Sequence, residues 1–444
     1  MKKLILTLLS IALIMFIGCK KEDETKTIRY LNFKPEVADV WNEIATEYEK
    51  ETGIKLIVET AASGTYESTL QARMATSKAP TLFQINGPVG YNAWKNYCAD
   101  LSGTELYKHL TNKDLAVTAD GKVYGIPYVV EGYGIIYNKA LTDKYFSSDW
   151  KKTTLTSMDE VNSFDKLKEV VEDMQKNKDK LGIEGVFAST SLKAGEDWRW
   201  QTHLANIPIA YEFMNNNIDL NTDAYKEVTF QYAENYKNIF DLYLDNSVKD
   251  KTELGSLTVS DSMSEFALEK CVMVQNGNWG AGQILGAKGN KVKEENIKFL
   301  PIYTGIEGEE TQGLSIGTEN FICINSKASE VEQKNAADFL YWLFSSEKGK
   351  KFVVEKLGFI APFDTFTSSD AYTDPLAKEV IRYMNNKDVN NIGWNFTLFP
   401  STTFKESFGS DLLKYAQGKE TWENITTNFV TNWKNEWSLV DKNK

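Results

Sequence analysis

The chain is poor in the residues that carry most nucleophilic and metal chemistry. It has 2 histidines and 4 cysteines in 444 residues. His109 and His203 stand far apart. Cys98, Cys271 and Cys323 form no C-x-x-C pair and no group near a histidine pair, which argues against a metal site. These three body cysteines leave two arrangements open: one disulfide with a buried thiol, or three buried thiols. No G-x-S-x-G elbow, H-E-x-x-H pair or phosphate-binding loop occurs, so the common hydrolase and ATPase signatures are missing. Basic charge is in deficit as well, with 50 Lys and Arg against 62 Asp and Glu and a net charge of −12. That sign argues against nucleic acid or an anionic membrane surface as partner. Asp219-x-Asn221-x-Asp223 echoes a calcium loop but lacks the glycine and the closing glutamate, and reads as a polar loop. Neither a metal nor a cofactor is expected. Internal repeats and low-complexity segments are lacking.

Long apolar runs are scarce too. The one at the N-terminus, Leu4 to Ile17, follows Lys2 and Lys3, is broken only by Thr7 and Ser10, and ends at Gly18-Cys19. A basic start and a short apolar stretch read as a secretory signal over residues 1–18, too short to span a bilayer comfortably. A small residue directly before a cysteine resembles the bacterial lipobox, although Phe16 and Ile17 stand where that motif has other residues. The expectation is lipidation at Cys19, with residues 19–26 as a charged tether. A diacylated and further acylated cysteine supplies the multi-chain anchoring that one acyl chain cannot.

What the chain has in quantity is aromatic side chains: 11 Trp, 21 Tyr and 23 Phe. The roughly 420 residues after the signal are too many for one core and suit two lobes. Strand and helix alternate. Residues 28–33 read as a strand, and Pro35 opens a helix whose apolar face is Val37, Val40, Trp41, Ile44, Ala45 and Tyr48. Gly53 closes it before the strand 54–58. A helix over 66–77 and a strand over 81–85 follow. This rhythm predicts an α/β chain with a parallel, doubly wound sheet, and Asp120-Gly121 predicts a hairpin turn. Further helices are expected over 163–180, 227–243, 330–345, 349–356, 405–415 and 422–437. Apolar strands are expected before Asn276 and over 321–324.

Five segments, in order, resemble the extracellular solute-binding proteins of ABC importers, in particular the sugar-binding group typified by maltose-binding protein. They are EKETGIKLIVE (49–59), YGIPYVVEGYGIIYNKAL (124–141), VQNGNWG (274–280), ENFICINSKAS (319–329) and YAQGKETWENI (415–425). The resemblance implies a two-lobe, type II periplasmic-binding-protein-like fold, each lobe a mostly parallel sheet flanked by helices, with ligand in the cleft between. Crossovers then fall near 130–132, 315–319 and 361–363. The first lobe comprises 27–130 and 317–361; the second comprises 131–316 and 362–444. It further implies a lipoprotein at the cell membrane, facing the outside or a periplasm. Such a protein is a monomer that passes a carbohydrate to ABC importer membrane subunits and catalyses nothing itself. The rival reading is a secreted carbohydrate-active hydrolase, which needs two carboxylates ~5–10 Å apart across a cleft.

A sugar presents hydroxyls at its rim and flat C–H faces, so its site needs Trp or Tyr against the faces and amides or carboxylates for the rim. Trp279, in a turn between Gly277 and Gly280, matches the group's stacking tryptophan. Trp198 and Trp200 flank Arg199 in GEDWRWQTH; one tryptophan is expected to reach the cleft and the other to pack, and Trp198 and Arg199 are the ligand-binding candidates of this stretch. Trp394, in NIGWNFTLFP, is a further aromatic candidate. The first lobe offers Lys34 and Glu36 after the first strand, Tyr66 at a helix start, and Gln84 and Asn86 at the end of the third strand. The amides are either ligand contacts or braces. Glu131, in the first crossover, matches a carboxylate that touches ligand in relatives, with a salt bridge across the hinge as the alternative.

Overall fold

The computed structural model describes residues 26–442 except 63, 221 and 368. The signal, Cys19 and nearly all of the tether lie outside the described residues. The described strands form two sheets. The first contains β1 (Thr27–Asn32), β2 (Lys55–Thr60), β3 (Leu82–Asn86), β4 (Val117–Ala119), β5 (Lys122–Pro127) and β10 (Asn320–Ile324), in the order β2-β1-β3-β10-β5-β4. The second contains β6 (Glu131–Asn138), β7 (Met273–Gly277), β8 (Ile297–Leu300), β9 (Gln312–Gly317) and β11 (Asn390–Gly393), in the order β11-β9-β6-β7 with β8 also on β6.

The α/β two-lobe architecture is the expected one, and the sheets are mixed. β1 pairs in parallel with β2 and β3, but β10 is antiparallel to both β3 and β5. In the second sheet β6 runs against β7, β8 and β9, while β11 is parallel to β9. One reversed strand near the middle of each sheet converts its neighbouring ladders to antiparallel while most strands keep a common direction. The chain leaves the first sheet between Pro127 and Glu131 and returns between Gly317 and Asn320. A third link follows Ile360, which bridges to Val130.

Local chemistry explains the elements. The helix Ala38–Thr52 buries Trp41, Ile44 and Tyr48 on one face and ends at Gly53 with φ 72°, a left-handed cap that glycine adopts freely. Asp120 and Gly121, both at positive φ, turn β4 into β5 as a hairpin. A Ser329–Glu332 capping box starts the helix Glu330–Ser345. The helix expected over 227–243 is instead Ala233–Asp245. The Glu212 carboxylate accepts from the backbone N–H of Thr229 and of Gln231, and Phe230 sits at φ 53°, so the preceding stretch stays non-helical. The helix expected over 66–77 stops at Met74, and that expected at 349 starts at Glu347 on a Ser346 cap and continues as a π-turn over Phe352–Leu357.

Each sheet has its own core. Ile28, Trp41, Tyr128, Ile322 and Phe339 belong to one cluster; Tyr133, Trp200, Phe240, Phe404 and Trp433 belong to another. Cys98, Cys271 and Cys323 are buried free thiols, which resolves the open choice. Asp223 pairs with Lys226 at 2.9 Å rather than facing a metal. Among the described residues no metal-holding cluster occurs, and no helix is long and apolar enough to cross a membrane.

The lobes meet face to face. A side chain at Gly64 would run into the Gly195 carbonyl oxygen, 2.7 Å from the Cβ position, and one at Gly87 into Thr397 at 3.0 Å. Both glycines lie in the first lobe and both contacts in the second, so the cleft is closed along this edge.

Candidate ligand-binding site

The carboxyl ends of β1, β3 and β7 point toward the seam between the lobes, where α/β sheets place ligands. Beyond β1, the Asn32 side chain pins the loop: its amide donates to the Lys34 carbonyl at 2.8 Å and to Thr60 Oγ1 at 3.1 Å. Lys34 is thereby aimed across the seam. Its ammonium donates to Glu131 Oε1 at 2.7 Å and stands 3.9 Å from Glu36. Both partners of the first pair are buried, Lys34 5% and Glu131 1% exposed. Burial by itself would lower the Lys34 pKa; the Glu131 and Glu36 charges outweigh it and leave it above its ordinary value. The Glu36 carboxyl is raised, chiefly by burial. Glu131 Oε2 has no partner.

Three first-lobe residues have their polar atoms engaged within the protein. Gln84 accepts from the Phe33 N–H at 2.8 Å and donates to the Tyr128 hydroxyl at 2.6 Å. The Tyr66 hydroxyl accepts from the Gln84 N–H at 2.7 Å. Asn86 donates to Glu319 Oε2 at 3.3 Å in the second crossover. Burial, with the Glu131 charge adding, pushes the Glu319 carboxyl up to about 7.

The second lobe supplies a wall of rings. Trp279 follows β7, and its ring lies against Gly277, where any Cβ would collide with it. Trp394 lies in the same way against Gly317 of β9. Glycine is required at both positions because the ring occupies the space of a side chain. Trp198 stands 5.8 Å from Trp279 between ring centroids, and Trp394 stands 6.4 Å from it. Trp200 packs instead: it is 1% exposed and its indole donates to the Ser191 carbonyl. The Lys34 ammonium lies 5.4 Å from the Trp279 centroid, which brings the two lobes into contact over this ring.

Sequence reasoning missed Tyr133, His203 and Phe396. The His203 ring is 4.5 Å from Tyr133, 4.9 Å from Trp198, 5.2 Å from Trp394 and 4.5 Å from Phe396. It projects from a π-helical turn, Arg199–Leu204, a geometry that often marks functional positions. All three residues sat inside motifs already singled out for their tryptophans or glycines, and their own signal was only that company. Burial, reinforced by the Arg199 charge, holds His203 well below its ordinary pKa, so its ring is neutral. Several buried polar atoms here have no partner: Tyr133 OH, Arg199 Nη1, His203 Nε2 and Trp394 Nε1. Native proteins leave few such atoms without a reason. A cavity of about 290 Å³ touches the wall at Trp279 alone and is otherwise lined by residues of both lobes that include Glu36, Phe359, Asn278 and Asp374; it falls just below the usual ligand-pocket range of about 300–1,000 Å³.

Two α/β lobes closing on an aromatic, partly unsatisfied seam define a two-lobe solute-binding protein. A family model described as bacterial extracellular solute-binding protein matches residues 43–379, and the chain belongs to this family. No curated protein sequence matches it. Solved structures with the same fold include RafE in complex with raffinose, 18% identical, TM-score 0.67, over 93% of this chain and 99% of that one. A sugar transporter from Bacillus licheniformis in complex with stachyose is 16% identical, TM-score 0.65, over 92% and 100%. The GacH receptor of Streptomyces glaucescens, studied with acarbose, is 16% identical, TM-score 0.67, over 93% and 98%.

Proposed function

We propose that this protein captures a carbohydrate, an oligosaccharide, between its lobes and delivers it to the membrane subunits of an ABC importer. In this reading it acts as a monomer, held on the outer face of the cell membrane through lipidated Cys19, and it catalyses nothing. The observation that carries the proposal is the second-lobe wall. Trp198, Trp279 and Trp394 supply flat apolar surface, and Tyr133, Arg199, His203 and Trp394 hold unpartnered polar atoms beside it. That combination suits a molecule with C–H faces and a hydroxyl rim. Lys34, Glu36 and Glu131 complete the site from the first lobe and the crossover. Tyr66, Gln84 and Asn86 act as braces that hold the first lobe's edge in shape. The raffinose, stachyose and acarbose named with the solved structures support a carbohydrate of more than one ring.

Binding closes the cleft by hinge motion, since the separate cores let the lobes move as bodies about the three connecting segments. The test is calorimetric titration and melting against neutral and acidic oligosaccharides, with chromatography of the sugar afterwards. Expected is a saturable rise in melting temperature with intact sugar recovered. Accumulation of cleaved product, or no response to any carbohydrate, overturns the proposal.

A further inference from the structure

Arg199 is an under-compensated charge at the seam. It is 2% exposed. Its Nε donates to Asn276 Oδ1 at 3.2 Å, and its guanidinium stacks 3.9 Å from the Trp198 centroid. Nη1 has no hydrogen-bond partner. Among the described residues the guanidinium makes no ion pair, whereas the other buried cation of the seam, Lys34, has Glu131 at 2.7 Å and Glu36 at 3.9 Å. The acids around Arg199 are committed elsewhere. Glu196 accepts from the Val259 N–H at 2.6 Å and pairs with Lys193 at 3.8 Å. Asp197 accepts from Gln201 Nε2 at 2.8 Å. Glu36 comes from the opposite lobe and leans on Lys34. A buried cation without a counter-charge is costly, and a ligand that brings one removes the cost.

The neighbouring atoms refine the demand. Thr202 Oγ1 donates to the Trp198 carbonyl, so at the 3.0 Å contact between that hydroxyl and His203 Nδ1 the proton belongs to the imidazole. His203 Nε2 therefore offers a lone pair and takes a hydroxyl donor. Glu131 Oε2, also unpartnered, takes a second. Arg199 Nη1 and Trp394 Nε1 can only donate. The site thus presents a cation and an indole N–H to an acceptor, and two acceptors to hydroxyls.

We propose that the ligand is an acidic oligosaccharide, a uronate-containing glycan whose carboxylate pairs with Arg199 while its hydroxyls meet His203 and Glu131. This rests on the carbohydrate reading above. The guanidinium fork suits a carboxylate, and charge-assisted pairs of this kind are among the stronger polar contacts.

The test uses the full mature protein and calorimetric titration. Ligands are oligouronates from pectate, alginate, glucuronoxylan and hyaluronan, each beside its carboxyl-reduced neutral form, with raffinose, maltotriose, xylotriose and sulfated chondroitin oligosaccharides as further arms. At least one oligouronate is expected to bind tenfold or more tighter than its carboxyl-reduced form. Arg199→Gln should abolish that preference and Arg199→Lys should keep part of it. If the variants fail to fold, the wild-type comparison of each uronate with its reduced form still decides. A neutral sugar that binds tightly while the uronates do not, or equal binding of a uronate and its reduced form, overturns this inference and leaves the carbohydrate reading standing. Preference for the sulfated glycan that survives reduction of its carboxyl groups overturns the carboxylate assignment. Failure of every carbohydrate overturns the reading beneath it.

Discussion

The two lobes differ in how several of their buried polar groups near the seam are engaged. In the first, Asn32, Tyr66, Gln84 and Tyr128 bond to one another and to the backbone near the carboxyl ends of β1 and β3. In the second, Tyr133, Arg199, His203 and Trp394 lie at a corresponding depth and each keeps an unpartnered atom. A satisfied network is rigid and indifferent to ligand; an unsatisfied one is stabilised when a ligand arrives. On the proposed reading, the second lobe is the receptor surface and the first a preformed lid. Lys34 reaches across the seam to Glu131 and to the Trp279 ring.

Breaking the receptor side should have the largest effect. Trp279→Ala removes the ring that lies against Gly277 and that Trp198 and Trp394 flank, and carbohydrate affinity should fall about 100-fold, about 2.8 kcal/mol at about 1.4 kcal/mol per decade. Titration calorimetry measures it, and unchanged affinity would remove Trp279 from the site. The lid side should respond less. Lys34→Met strands Glu131 as a buried charge, a cost of about 3–5 kcal/mol in a closed protein. Opening the cleft lets water reach Glu131, so most of that cost is relieved by a shift toward open molecules. Affinity should drop about tenfold in proportion to the lost closed fraction. Small-angle scattering at saturating ligand should show a more expanded particle for the variant than for wild type, and identical profiles would refute the lid role.

The smallest effect should come from pH. Glu319, at the crossover, has a folded pKa raised to about 7 from 4.5. Between those values the folded state binds more protons than the unfolded state, so stability falls as pH rises through 7. His203, with a depressed pKa, works in the opposite direction only around and below its ordinary 6.5. Between pH 8 and 6.5 the Glu319 effect should therefore dominate and raise the melting temperature by about 1–2 °C. Glu319→Gln should flatten that rise, and a slope surviving the substitution would assign it to another group.

Much of this was legible from residue patterns. The hairpin at Asp120-Gly121 is legible because its signal is a local turn dipeptide, and the helix expected over 330–345 is found at Glu330–Ser345. Trp279 was singled out for the same kind of reason, a ring between glycines at the end of an apolar strand. Gln84 shows where such reading stops. A buried amide needs partners, but whether they are ligand or protein depends on Tyr128 and the Phe33 backbone, which only folding brings within reach.

The sequence by itself determined the two-lobe α/β plan, the scarcity of metal and nucleophile chemistry, and the supply of tryptophans, because periodicity, composition and caps act over a few residues at a time. Only the tertiary structure decided which of those residues face one another. Tyr133, His203, Trp279 and Trp394 come from four separated stretches, and their shared seam follows from sheet order and crossovers rather than from spacing. Whether a buried polar atom is satisfied is a relation among distant groups, and at Arg199 that relation separates a structural cation from one that awaits a counter-charge.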